Sequence, residues 1–124
     1  MVSLAEQLER TDFHDADLGK CVSDGNTLYL YFRNICLEPG KEEYYSVSVV
    51  LRGVREIRRD GAPVSELRLE GEGSDVLQFH RGEGRALLLI EWHSYRPRAD
   101  VFAKYEVDYD SSEMTAEKQD ELIV

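Results

Sequence analysis

Apolar and polar side chains alternate in short runs from residue 15 to about 109, and Gly, Asp and Asn interrupt the runs. A period of two puts successive side chains on opposite faces of a strand, so each run reads as a half-buried β-strand. Residues 15–23 and 27–37 read as a hairpin about Asp24-Gly25-Asn26, with Leu28, Leu30 and Phe32 on one face and Tyr29, Tyr31 and Arg33 on the other. Matching apolar faces sets Val22 opposite Leu28 and Leu18 opposite Phe32, a register that a three-residue turn supports. After a turn at Glu38-Pro39-Gly40-Lys41, Tyr45, Val47, Val49 and Leu51 alternate with Tyr44, Ser46, Ser48 and Val50. This predicts a strand over 43–52 and a bulge or corner at Gly53.

A weaker hairpin follows, 54–59 and 62–69 about Asp60-Gly61. Pro63 cannot donate to a central ladder, so this hairpin belongs at an edge. Gly71-Glu72-Gly73-Ser74 reads as a flexible link. Residues 75–81 and 85–95 form a third hairpin through Gly82-Glu83-Gly84, with Leu88, Ile90 and Trp92 in the core against Leu77 and Phe79. Leu87 and Leu89 predict that this strand is covered on its other side too. Tyr95-Arg96-Pro97-Arg98 breaks the ladder, and a last strand over 100–109 lines up Val101, Ala103, Tyr105, Val107 and Tyr109. At the start, Ser3-Leu4-Ala5-Glu6 is a capping box for a helix over 3–10. Residues 111–124 are acidic and polar, and read as a tail or a short helix capped by Thr115.

The expected fold is therefore mostly β: an antiparallel sandwich or a strongly curved open sheet of seven or eight strands with a short N-terminal helix. A closed barrel is the alternative. The expected organisation is a single domain over 1–110 followed by the 111–124 tail or helix.

Composition narrows the function. A chain of 124 residues builds one core. A net charge of -10 argues against nucleic acid and against an anionic membrane, because both recruit basic surfaces. It suits a soluble protein or one that meets a basic partner. The opening MVSLAEQLER has no basic stretch leading into an apolar one, and no run approaches the roughly 18 apolar residues of a membrane span, so a cytoplasmic location is expected. In the expected register Cys21 and Cys36 point to opposite faces and lie roughly 23 Å apart, too far for a disulfide.

Few residues suggest chemistry. His14-Asp15, within Phe13-His14-Asp15-Ala16-Asp17, resembles the pair of metal-dependent phosphohydrolases, but those carry it on helices with further ligands. Here the pair is expected to tie the start of the first strand to its neighbours by hydrogen bonds. Glu91 and His93 share one strand face about 7 Å apart, a spacing that holds a metal only if a third ligand arrives. His80 shares that face but falls too far out of step to be that ligand. His14 falls opposite Cys36, without the oxyanion loop or third residue that a thiol nucleophile needs. Gly71-Glu-Gly and Gly82-Glu-Gly hold an acid where a phosphate would sit, and no helix follows. Tyr29 and Tyr31 sit on the face away from the hairpin's aliphatic side, and form a protein-binding surface if that face is open.

Phe13-His14-Asp15-Ala16-Asp17-Leu18 followed by the Leu28-Tyr-Leu-Tyr-Phe strand, together with the 87–92 strand Leu-Leu-Leu-Ile-Glu-Trp, is similar to a group of small bacterial all-β proteins. Some of that group look like immunity proteins of toxin systems. The resemblance implies an acidic, non-enzymatic protein that binds and blocks a partner, and it carries no catalytic residue. The expected function is thus a non-enzymatic cytosolic protein-binding domain for a basic partner, an immunity-type inhibitor being one concrete version. No catalytic residue, metal or cofactor is expected. The candidate binding residues are Tyr29, Tyr31, His14, Asp15, Glu91 and His93. One alternative is a small-molecule- or metal-binding pocket where His14 and Asp15 meet Glu91 and His93. Another is a structural homodimer.

Overall fold

The alternation resolves into nine strands in a computed structural model that describes residues 3–37, 40 and 42–123. Helix α1 (Leu4–Arg10) precedes β1 (Asp17–Asp24), β2 (Thr27–Ile35), β3 (Tyr45–Arg52), β4 (Glu56–Arg59), β5 (Ala62–Val64), β6 (Gly73–Arg81), β7 (Arg85–Tyr95), β8 (Arg98–Asp108) and β9 (Ser111–Lys118). They form two open antiparallel sheets, β1-β2-β3-β9 (sheet A) and β5-β4-β8-β7-β6 (sheet B), which pack as a sandwich around one core. The Ser3 side chain accepts a hydrogen bond from Glu6 N, which caps α1 as the sequence predicts. Of the expected Glu38-Pro39-Gly40-Lys41 turn, only Gly40 lies among the described residues, at φ +88°.

Inward-facing positions match the alternation. Leu28, Leu30 and Phe32 of β2, Val47, Val49 and Leu51 of β3, Leu88, Ile90 and Trp92 of β7, and Ala103, Tyr105 and Val107 of β8 are all buried. Trp92 Nε1 donates to the Tyr105 hydroxyl at 3.1 Å, so the indole dipole is satisfied within the core. Three ring contacts join the sheets. Phe32 of sheet A and Phe79 of sheet B lie 5.0 Å apart by centroid, and Phe13 packs on both at 5.0 and 5.3 Å.

Phe13 belongs to a clasp that runs along the outer edge of β6 before the chain enters β1. Asp15 N donates to Val76 O at 2.9 Å, Val76 N to Ala16 O at 2.8 Å and Phe79 N to Asp12 O at 2.7 Å. Phe13 and Asp15 take φ values of +60° and +68°, a costly backbone for non-glycine residues that the pairing and the buried ring hold in place. Asp17 closes the clasp: it accepts from Ser74 Oγ at 2.9 Å and pairs with Arg33, whose Nε donates at 2.8 Å. Arg33 reaches Asp17 by passing over Gly19, where a Cβ would lie 2.6 Å from Arg33 Nε.

Several expectations are corrected. The β1–β2 turn has two residues, Gly25 at φ +60° and Asn26, so Val22 faces Tyr29 and not Leu28. A bulge at Gly19 then restores Leu18 opposite Phe32. Cys21 consequently opposes Leu30 and turns away from the tyrosines; its thiol donates to Leu67 O at 3.3 Å, and burial pushes its pKa up. No disulfide joins it to Cys36, as expected. In β6 a second bulge leaves Leu77 without a partner, so Val76 takes the core position expected for Leu77. Leu87 and Leu89 are only half-buried, on the face of β7 turned away from the core. The strand expected over 62–69 stops at Val64, and the expected link at 71–74 already enters β6 at Gly73.

The largest correction concerns residues 111–124. Ser111–Lys118 is neither tail nor helix: it is β9, paired along the whole of β3 from Tyr45↔Lys118 to Arg52↔Ser111. Beyond it, Asn34 Nδ2 donates to Ile123 O at 2.7 Å, and Gln119 Nε2 to Asn34 Oδ1 at 2.9 Å. The single domain therefore extends past residue 110. Gly53, at φ +69°, makes the expected corner from β3 to β4.

Two outcomes follow from this packing. Phe13→Ala is expected to cost about 3–5 kcal/mol in urea unfolding, the range for emptying a buried aromatic site. A loss below 1 kcal/mol would contradict the ring cluster. In hydrogen exchange, amides within 112–118 that face β3 are expected to be protected; uniformly fast exchange there would restore the tail.

Candidate functional site

The outer face of sheet B carries a group of four titratable side chains centred on His93. Glu91 and His93 alternate outward along β7, and the ladders bring one carboxylate from each neighbouring strand: Asp75 pairs with Glu91 from β6, and Asp100 pairs with His93 from β8. His93 Nδ1 lies 2.7 Å from Asp100 Oδ1, and Nε2 lies 2.8 Å from Asp75 Oδ2 and 3.5 Å from Glu91 Oε1. The His93 and Glu91 side chains are 17% and 23% exposed, so the centre of the group is shielded while Asp75 remains open at 54%.

Both ring nitrogens of His93 face carboxylate oxygens. A neutral imidazole has one N–H and would turn a lone pair toward one of them, so the imidazolium fits these contacts. The hydrogen bonds to Asp100 and then Asp75 accordingly raise the His93 pKa above 6.5. Asp100 is lowered, chiefly by the same hydrogen bond and further by the charge of Arg98. Asp75, Glu91 and His93 can each offer one ligand atom within 4.8 Å of the others, and they are the one such trio among the described residues.

The bulge in β6 creates this convergence. Without the extra residue at Leu77, continuing the His80↔Leu87 register would set Asp75 opposite Trp92, on the core face; the bulge turns it outward, opposite Glu91. His14 and Asp15 support that bulge. His14 Nδ1 donates to the Leu77 carbonyl at 3.2 Å, and Asp15 N–H to the adjacent Val76 carbonyl. They thus tie the start of β1 to a neighbour, as the sequence suggests, and do not join the ligand trio. The expected His14–Cys36 apposition is absent, because the 12–16 segment pairs with β6 and not with β2.

Sequence reasoning found Glu91 and His93 from their spacing but missed Asp100 and Asp75. Asp100 is countable once the Arg96-Pro97 turn joins Tyr95 to Arg98. Asp75 depends on the bulge, which leaves no signal in the local pattern.

The outer face of sheet A has a different character. Val22, Tyr29 and Tyr31 are 40%, 42% and 37% exposed and line a shallow depression with Lys20 and Ser48. Paired rows run Val22–Tyr29–Val50–Glu113 and Lys20–Tyr31–Ser48–Thr115 across the four strands. The tyrosine face is open, with Glu113 and Glu117 exposed along its β9 margin. Elsewhere on sheet B, Asp108 accepts from Arg58 and Arg85 and is pulled down to about 2 by those hydrogen bonds, Arg58's first. Among the described residues no helix is long and apolar enough to cross a membrane.

No protein-family model, curated protein or solved structure matches the chain.

The His93 pKa is raised in the fold, so its stabilising contribution is complete below the unfolded value near 6.5 and is lost as pH rises through the higher folded value. Wild-type stability is therefore expected to decline over that alkaline limb, and His93→Gln to flatten it in urea titrations. The Asp108 contribution runs the other way: it is present above the unfolded carboxylate value of 3.8 and lost as pH falls toward about 2. Asp108→Asn is expected to flatten that acid limb.

Proposed function

We propose that the chain is a non-enzymatic binding domain that docks a basic partner protein on the outer face of sheet A. The observation that carries this reading is the open patch of Tyr29, Tyr31 and Val22 across β1 and β2 of sheet A. Tyrosines supply large apolar contact area with a polar tip and little rotamer entropy, and are enriched where proteins meet. The net charge of -10 supports a basic partner, which such a field would steer into contact. An immunity-type blocker of a basic toxin is one concrete form, in keeping with the resemblance of the Phe13–Leu18 opening and the 87–92 strand. The cytoplasm is the compartment proposed for this role.

Affinity capture at low salt and again at high salt tests the reading, followed by titration of the purified binder. A basic protein is expected, bound more weakly as salt rises, with Tyr31→Ala or Tyr29→Ala weakening it at least about tenfold as interface anchors do. An acidic binder with salt-independent affinity, or one indifferent to both tyrosines, would overturn the reading. Self-association abolished by the same substitutions would replace it with a homodimer.

A further inference from the structure

Asp75, Glu91 and His93 differ from an ordinary patch of surface acids in three respects. An imidazole stands at the centre, at ligand distance from two carboxylates that come from two different strands. Its far nitrogen is held by a third carboxylate, Asp100, in the arrangement that orients metal-bound histidines. The Glu91 side chain is mostly covered and, among the described residues, its carboxylate accepts no hydrogen bond: its cationic contact is His93 Nε2 at 3.5 Å. We propose that Asp75 Oδ2, Glu91 Oε1 and His93 Nε2 bind a divalent first-row transition-metal ion, with Asp100 as the positioning residue for the ring.

The distances fit. A tetrahedral centre with bonds of about 2.1 Å has ligand atoms about 3.4 Å apart. Nε2 lies 3.5 Å from Glu91 Oε1 and 2.8 Å from Asp75 Oδ2, and the three ligand atoms all lie within 4.8 Å of one another, so the exposed Asp75 carboxylate has to withdraw from the ring for a metal to enter. Charge points the same way. Three carboxylates around one imidazolium leave a net charge of -2 in this group, and besides His93 the charge of Arg98 acts on Asp100. A dication at Nε2, in place of its proton, reduces that excess to -1. The donor set selects the ion. One imidazole and two carboxylates suit Zn²⁺, Mn²⁺, Co²⁺ or Fe²⁺, whereas Ca²⁺ and Mg²⁺ favour all-oxygen shells of six or more ligands.

Backbone supports the site on every side. The β6–β7 and β7–β8 ladders fix the spacing of all four residues, and the bulge that turns Asp75 outward is held by His14 and Asp15. Three protein ligands leave a position open to water or to a partner's side chain. Phe102, which pairs with Glu91 and is 64% exposed, forms an apolar wall beside that opening.

Calorimetric titration of the full chain, stripped with a chelator, with Zn²⁺ alone at mildly alkaline pH tests the proposal. One-to-one binding is expected, weakened at least tenfold by Asp75→Asn and by Glu91→Gln, and about 10–100-fold by Asp100→Asn, as for other carboxylates behind a metal-bound histidine. Circular dichroism checks that each variant is folded, and Asp75→Asn, at an open position, is the one expected to leave the fold untouched. In NMR, Zn²⁺ is expected to shift the His93 ring resonances in wild type, and at least about tenfold more Zn²⁺ is expected to be needed for the same shift in Asp75→Asn. His80→Gln and Cys36→Ser are expected to bind as wild type does. Absence of binding, binding that survives Asp75→Asn combined with His93→Gln, or binding lost in Cys36→Ser would overturn it. The tyrosine face lies on the other sheet, so Tyr29→Ala is expected to leave Zn²⁺ binding unchanged; the two readings fail separately.

Discussion

Two open sheets present unpaired edges, and the stability of the sandwich depends on how the edge of β6 is closed. The Asp12–Asp17 clasp supplies β6 with backbone partners, drives Phe13 between Phe32 and Phe79, and delivers the chain into β1. Each function needs the others. The left-handed backbone at Phe13 and Asp15 is tolerable only because a buried ring and a row of hydrogen bonds offset it. The remaining edges are blunted more simply, by Pro63 in β5 and by the charged side chains Glu113, Glu117 and Lys118 in β9. Along β1, the Cys21–Leu67 contact lays the β5–β6 connection close by.

The same clasp links fold to site. A motif that reads as chemistry, Phe13-His14-Asp15-Ala16-Asp17, serves in the structure as architecture: one ring in the core, one imidazole on a bulged carbonyl, one carboxylate shared between Arg33 and Ser74. Its reach is nonetheless functional, because the bulge it steadies decides which face Asp75 occupies. The two candidate surfaces lie on opposite sides of the sandwich, a tyrosine-rich one on sheet A and a carboxylate–imidazole one on sheet B.

The antiparallel class, the hairpins, the edge position of Pro63 and most inward-facing residues were legible in the alternation, because period-two burial is a local property. Register was not. Bulges at Gly19 and Leu77 leave the pattern on either side intact while shifting the pairing by one, so Val22 and Val76 exchanged their expected surroundings. β9 was hidden for another reason. Its SSEMTAEK sequence is rich in helix-favouring residues and buries little, and long-range pairing with β3 overrode that preference. Within the site, spacing along one strand revealed Glu91 and His93, whereas partners contributed across strands required the ladder itself.

The corner between the sheets ties β3 and β9 to β4 and β8. Arg55 N donates to Asp108 O and Asp110 N to Arg52 O, so the β3–β9 ladder turns almost without interruption into the β4–β8 ladder. The two layers are thus one folded ribbon, and its outgoing and returning halves are far apart in sequence. During synthesis β3 emerges long before β9 can reach it, and until then Val47, Val49 and Leu51 lie beside a bare strand edge. Until β9 pairs with it, the edge of β3 stays open to other strands, so the long separation of the two in sequence prolongs the stage at which misassembly can occur.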